Sequence, residues 1–167
     1  MTWNTAIITL SDKGYKGERE DKSGPLIKQM LLDSSYQVCE EILLPDEKQM
    51  IEKELCRLCD QEQMALIFTT GGTGFSPRDC TPEATLSVAD RNAPGIAEAM
   101  RSCSLQVTPR AMLSRGVSVI RGTTLIINLP GSPKAVKENL EFILPALDHG
   151  LGILRGTEGE CGMSEQQ

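Results

Sequence analysis

The chain has 167 residues, 40% of them hydrophobic, and a net charge of -6 with a pI near 4.9. That length suits one domain with a substantial core. The acidic balance argues against a general nucleic-acid binder, which needs a basic face, but a local pocket can oppose it and take an anionic small molecule. The first residues lack the charged start and apolar stretch of a signal peptide. No apolar run approaches the ~20 residues that span a bilayer, so the expected location is the cytoplasm, with no membrane partner. The six cysteines, Cys39, Cys56, Cys59, Cys80, Cys103 and Cys161, read as free thiols of a reducing compartment. Cys56 and Cys59 have redox or metal spacing, but they fall in a helical stretch with no second pair and one histidine in the chain, so a core role fits better.

Taken in chain order, Thr5–Leu10 is a compact apolar strand that runs into a polar loop, Ser11-Asp12-Lys13-Gly14. Ser23 is expected to cap a helix with Pro25 in its first turn and Leu26, Ile27, Met30 and Leu31 on one stripe. Tyr36–Leu44 is a second strand, placed at an edge by its two glutamates and stopped by Pro45. Asp46 can cap the helix that follows, which carries Met50, Ile51, Leu55, Leu58 and Cys59 on one side. Met64–Phe68 is a third strand, short, apolar and buried.

After that strand comes Thr69-Thr70-Gly71-Gly72-Thr73-Gly74-Phe75-Ser76-Pro77-Arg78-Asp79-Cys80-Thr81-Pro82-Glu83. Three glycines in four residues allow a sharp turn and close approach to a ligand. Successive N–H groups of such a loop form an anion nest, and the hydroxyls of Thr69, Thr70, Thr73 and Ser76 add donors. Arg78 adds a cation. Asp79 would repel a bare phosphate but suits a magnesium ion holding one. The loop ends at a helix start, with Thr81 as cap, Pro82 in the first turn and Glu83 at the positive end of the dipole. A bare Gly-Gly-Thr-Gly is also compatible with a tight turn and nothing more.

Two short helices are expected over 82–89 and 94–102, and a capped one over 108–116 closed by Gly116. Val117–Arg121 and Thr124–Leu129 are strands joined by Gly122-Thr123, which fits a II′ hairpin turn and makes one strand antiparallel to the rest. Ser132 and Pro133 open a last helix bearing Val136, Leu140, Ile143, Leu144 and Leu147. His149 is read as following a helix end, as a partner of its dipole. Residues 156–167, rich in Gly and Glu, read as a flexible tail beyond a single domain over 1–155. The alternation predicts a three-layer α/β fold: a mostly parallel sheet with one antiparallel strand and helices on both faces.

Ligands of such sheets bind at the carboxyl ends of the strands. Those ends carry Ser11 and Asp12, then Asp46, then residues 71–79, then 128–132. Convergent aspartates beside a phosphate loop suggest a divalent metal and phosphoryl or nucleotidyl chemistry. The same residues also serve as caps or, for Asp79, as a partner of Arg78, and the residue pattern leaves both readings open. Ser132 is a cap in either reading.

Several longer motifs narrow the choice. Thr69–Gly74, Pro77–Thr85, Ser114-Arg115 and Asn128-Leu129-Pro130-Gly131-Ser132-Pro133 stand in the same order as in the molybdopterin adenylyltransferases of molybdenum cofactor biosynthesis. Ser11-Asp12, Asp21-Lys22-Ser23-Gly24-Pro25, Leu44-Pro45-Asp46, Pro94-Gly95 with Glu98, and Phe142–Leu147 do so too. The chain resembles this family, which includes the amino-terminal domain of gephyrin, over residues 5 to 155. The resemblance implies transfer of AMP from Mg-ATP to the terminal phosphate of molybdopterin, with release of pyrophosphate. It implies a homotrimer and hand-over of product to a molybdenum insertion protein. It makes Asp46 and Asp79 the carboxylates needed for transfer, through Mg2+. Thr70, Gly71, Gly72, Thr73, Gly74 and Ser76 become the phosphate-facing loop, and Ser11, Asp12, Ser114, Pro130, Gly131 and Ser132 line the pocket for pterin or nucleotide. A non-catalytic molybdopterin-binding or scaffold protein of the same fold is the alternative. A Rossmann-type nicotinamide or flavin enzyme is disfavoured, because no GxGxxG follows the first strand. Two positions depart from the family pattern. Lys13 stands where arginine is common, giving a point charge in place of a fork, and Cys80 stands where valine is usual.

Overall fold

A computed structural model describes residues 1–32 and 34–157. The order of elements is β1 (Trp3–Leu10), α1 (Asp12–Tyr15), α2 (Ser23–Leu31), β2 (Tyr36–Leu44), α3 (Lys48–Cys56), a π-helical turn (Arg57–Gln61) and β3 (Leu66–Thr70). Then follow α4 (Thr81–Ser87), β4 (Arg91–Asn92), α5 (Pro94–Leu105), a 3-10 helix (Pro109–Leu113), β5 (Ser118–Arg121), β6 (Thr124–Leu129) and α6 (Pro133–Leu154). The six strands form one sheet in the order β2-β1-β3-β6-β5-β4. β2, β1, β3 and β6 are parallel, with Thr70 opposite both Thr9 and Leu129. β5 is antiparallel to β6, as the hairpin reading expects, and Gly122 supplies the positive φ of the turn at 55°.

Strand alternation sorts the apolar residues onto two faces. Ile7, Leu66, Phe68, Leu125, Ile127 and Leu129 pack with Ile27, Leu31, Ala97, Met100, Val136, Leu140, Ile143 and Leu147, under α2, α5 and α6. Ala6, Ile8, Leu10, Ile67 and Ile126 pack with Ile51, Leu55, Leu58, Cys59, Ala84 and Val88, under α3, the π turn and α4. The central strands are buried on both sides, which explains why they read as unbroken apolar runs. Cys59 is buried in that second layer, and its thiol is pushed up to about 11 by desolvation, so it behaves as a core residue.

The chain leaves β1 for β2 through α2 on one face, and it leaves β3 through α4 on the other before α5 returns to the first face ahead of β5 and β6. The loops after β1 and β3 therefore diverge, and such a switch point opens a crevice at the strand ends.

Several local expectations shift. β3 is two residues further on than the apolar run implies, because Thr69 and Thr70 still pair with β6. The loop after β1 contains the short α1, capped by Ser11, whose Oγ accepts from the Gly14 N–H at 2.9 Å. Asp21, not Ser23, caps α2: its Oδ1 accepts from the N–H groups of Ser23 and Gly24. Asp46 does not cap α3, which begins after Glu47 without a side-chain cap. Thr81 is the first residue of α4, and Ser132 occupies the cap position of α6 without a side-chain bond. The segment after Thr108 is a 3-10 helix that ends at Leu113 with Ser114 in the cap position, and it is not closed by Gly116. β4 was not foreseen. His149 lies within α6. The tail expectation for residues 158–167 falls outside the described residues.

Candidate active site

The loops after β1, β2, β3 and β6 surround a cleft of about 730 Å3. A second cleft, of about 520 Å3, lies between α5, the 3-10 helix and the start of α6. The β6–α6 loop separates them: Gly131 lines the first, while Pro130 and Ser132 line the second. Thr70 fastens this wall to β3 by donating from Oγ1 to the Pro130 carbonyl at 2.7 Å. Ser23 fastens it to α2 by donating to the Gly131 carbonyl at 2.8 Å.

The glycines of the loop are there for close approach. Gly71 has φ 97°, and a Cβ on it would stand 2.3 Å from the Leu10 carbonyl oxygen. Gly72 has φ 67°, and its Cβ would stand 2.2 Å from Thr81 Oγ1 and 2.9 Å from Asp46 Oδ1. The buried Thr81 hydroxyl donates to the Gly71 carbonyl at 3.0 Å, so the start of α4 is laced to the glycine turn.

Three aspartates converge, in three different states. Asp12 and Asp46 exchange bonds between neighbouring loops: the Asp12 N–H donates to Asp46 Oδ2 at 3.2 Å and the Asp46 N–H to Asp12 Oδ1 at 3.0 Å. Arg78 then engages both oxygens of Asp12 and also Glu47. These bonds to Arg78 hold the Asp12 carboxyl below the usual carboxylate range, so its charge is already answered. Asp46 is the reverse. Burial raises its pKa, with the charges of Asp12 and Asp79 adding to the effect. Its Oδ1 is buried with no hydrogen-bond partner among the described residues. Asp79 accepts the Ser76 N–H at 3.1 Å through Oδ2 and returns its own N–H to the Ser76 carbonyl at 2.9 Å.

An unpartnered buried carboxylate oxygen is costly unless a cation or proton meets it. The donor set fits Mg2+, which is commonly held by one or two carboxylates together with substrate phosphates. Among the described residues no group of three or more His, Cys, Asp or Glu side chains is placed to hold a metal ion by itself.

The expected site residues thus divide. Ser11, Asp12, Asp46, Thr70, Gly71, Gly72, Ser76, Asp79 and Gly131 line the first cleft. Ser114, Pro130 and Ser132 line the second. Thr73 is buried and, like Gly74, lines neither. Thr69, read as a donor toward ligand, is fully buried and accepts from Asn128 Nδ2 instead. Residues that the sequence reading did not place in the site also appear, Lys13 among them, noted there as a departure from the family pattern. Lys13, Arg19 and Lys22 line the first cleft and take part in no ion pair among the described residues. Arg101, Arg110 and Lys134 line the second. Lys13, Arg19 and Lys22 cluster in sequence after the first strand, but one-dimensional spacing does not tell which way they face.

A crevice at the switch point of a parallel sheet, carrying a glycine turn, convergent carboxylates and cations, is the usual place for a ligand in an open α/β domain. The model of the probable molybdopterin binding domain family matches residues 6–149. The molybdopterin adenylyltransferase of Escherichia coli K12 is 45% identical over 148 residues, covering 87% of this chain and 75% of that protein. That of Helicobacter pylori J99 is 41% identical over 164 residues, covering 94% and 90%. A solved molybdopterin biosynthesis enzyme, MoaB of Thermus thermophilus, superposes with a TM-score of 0.89 at 49% identity, covering 93% of this chain and 98% of that one. The chain belongs to the molybdopterin-binding domain family that includes these adenylyltransferases.

Proposed function

We propose that the chain is a molybdopterin adenylyltransferase that moves AMP from Mg-ATP to the terminal phosphate of molybdopterin and releases pyrophosphate. The observation that carries this reading is the pair of clefts sharing the wall 130–132, one acidic and cation-rimmed, the other more apolar with three basic groups. A transfer between two bound substrates needs two sites whose reacting ends meet across a short distance.

In this reading the first cleft takes the nucleotide. Residues 71–72 let the backbone approach its phosphates, and Lys13, Arg19 and Lys22 answer the charge of the β- and γ-phosphates and of the leaving pyrophosphate. Asp46 and Asp79 would hold Mg2+, which when bound neutralises charge on the triphosphate. The second cleft takes the pterin, with Arg101, Arg110 and Lys134 opposing its phosphate as it approaches the wall. The attacking oxygen is already anionic, so no general base is needed. Alignment and charge neutralisation supply the acceleration. We further propose a homotrimer in the cytoplasm that hands its product to a molybdenum insertion protein. Exposed Leu105, Val107, Met112 and Leu113, at and just after the end of α5 and on the 3-10 helix, support an interface on that side. No described helix is long and apolar enough to cross a membrane.

The test is turnover with molybdopterin, ATP and Mg2+, following adenylylated pterin and pyrophosphate, with Asp79→Asn in parallel. Product from the native chain and a loss of about 10²-fold or more in the variant is the expected result. Molybdopterin binding without any product would establish the binding-only alternative.

A further inference from the structure

The segment between the 3-10 helix and β5 lines the second cleft and bonds to the loop that carries Asp79 beside the first. Arg115 sits there between Ser114 and Gly116, which both line the second cleft, while Arg115 itself lines neither. Its main-chain N–H donates to the Thr73 carbonyl at 2.8 Å. Its side chain turns toward the loop that carries Asp79. Nε donates to the Gly74 carbonyl at 2.7 Å and Nη2 to the Asp79 carbonyl at 3.0 Å. Nη1 meets Glu83 in the first turn of α4. One guanidinium therefore closes both ends of residues 74–79 and joins them to the helix that follows.

That span needs an external tie. Phe75, Ser76, Pro77 and Arg78 are all exposed. The bonds inside the span are the pair between Ser76 and Asp79, which shape the turn; Arg78 ties its middle to Asp12 and Glu47, and the two ends, at Gly74 and Asp79, are tied by Arg115. An exposed loop with a glycine carries a large ordering cost unless it is fixed from outside. Arginine suits the task because its planar fork presents donors in fixed directions to two carbonyls at once, whereas a lysine head is a single point.

We infer that Arg115 is a positioning residue for the transfer: it sets the Asp79 carboxylate against Asp46 and ties that placement to the wall of the second cleft. The role rests on the adenylyl-transfer reading for its consequence in turnover but not for its consequence in metal binding. The two can therefore be measured apart.

The test uses the full chain. Mn2+ binding is read by electron paramagnetic resonance in the presence of a non-hydrolysable ATP analogue, beside steady-state adenylyl transfer and molybdopterin affinity. Arg115→Ala is expected to lower kcat about 10²-fold, the scale of a misplacement near 1 Å. It should weaken Mn2+ about tenfold and leave the molybdopterin Kd within about twofold, because the interaction lost belongs to one cleft only. The Asp79→Asn, Arg115→Ala double variant should lose little beyond Asp79→Asn alone, as groups acting as a unit do. A merely structural role would instead multiply the two losses. Arg115→Lys should fall between, since it meets one carbonyl at a time, and it decides the matter where the alanine variant does not fold. Native-like Mn2+ affinity and kcat in the alanine variant, or in the lysine variant where alanine does not fold, would overturn the inference, as would multiplicative losses in the double variant. Loss of Mn2+ in the variant, with no product even from the native chain, would remove the transfer reading and leave the positioning role standing.

Discussion

Asp12 and Asp46 stand one hydrogen bond apart and titrate in opposite directions, and the cause is the side chain that meets each. Arg78 engages Asp12, whereas Asp46 has burial and two like charges. The signs follow. The stabilisation from Asp12 is present above its unfolded pKa and is lost as pH falls through its lowered folded value. Asp46 binds its proton more tightly folded than unfolded, so its ionised form costs stability, from its ordinary pKa upward and in full above the raised one. Asp46→Asn is therefore expected to abolish transfer yet raise stability at neutral pH, by no more than about 1 kcal/mol for a group of this exposure. That gain should vanish in acid, where both forms are neutral. Chemical denaturation at two pH values checks it, and a variant destabilised at neutral pH would contradict it. Mn2+ binding should show an acid limb above the ordinary carboxylate range. Asp79→Asn should move that limb downward, because the Asp79 charge is one of the causes of the shift.

At the scale of elements, the glycine turn and the Asn128 hub hold the strand ends in place. Gly72→Ala would force a left-handed φ on a side chain and drive a methyl into Thr81 and Asp46. A loss of about 1–3 kcal/mol of stability is expected from the strain alone, and nucleotide affinity should fall more than pterin affinity. Asn128 is buried on β6, donates from Nδ2 to the hydroxyls of Thr69 and Thr85, and accepts the Val117 N–H. It thereby joins β3, α4 and the approach to β5. Asn128→Ala leaves the buried Thr69 and Thr85 hydroxyls and the half-buried Val117 N–H without this partner and is expected to cost about 1–3 kcal/mol, read as a shifted denaturation midpoint with an unchanged slope. Asp21 plays a like part for α2: with Gly24 packed beneath it and Thr9 Oγ1 donating to it at 2.6 Å, it anchors the helix beside the first cleft.

For the molecule as a whole, the net charge of -6 conceals a local reversal. Lys13, Arg19 and Lys22 face a cleft that also holds the aspartates, so under the proposed reading the site would attract a metal and a polyphosphate together. Replacing Arg19 and Lys22 jointly with glutamine should raise the KM for ATP about tenfold. The salt dependence of that KM should also flatten, as expected when steering charges are removed. An unchanged KM would place the triphosphate elsewhere. A molar mass near three chains by light scattering is the expected assembly, and a mass near one chain would remove the trimer.

The layered α/β architecture, the edge position of β2, the hairpin at Gly122 and the glycine turn were all legible in the chain. Each rests on local chemistry: apolar period, turn residues and the conformational freedom of glycine. The family motifs pointed to Asp46 and Asp79 as well. What only the folded arrangement decided was which polar groups remain available to a ligand. Thr69 and Asn128 are consumed inside, Asp12 is answered by Arg78, Asp46 keeps an oxygen without a partner, and Arg115 reaches back 36 positions to Asp79. The same holds for the split into two clefts at residues 130–132. Side-chain partners of this kind are set by crossovers that bring distant loops to one sheet edge, and no local pattern along a chain encodes which of two equally polar residues will be met there.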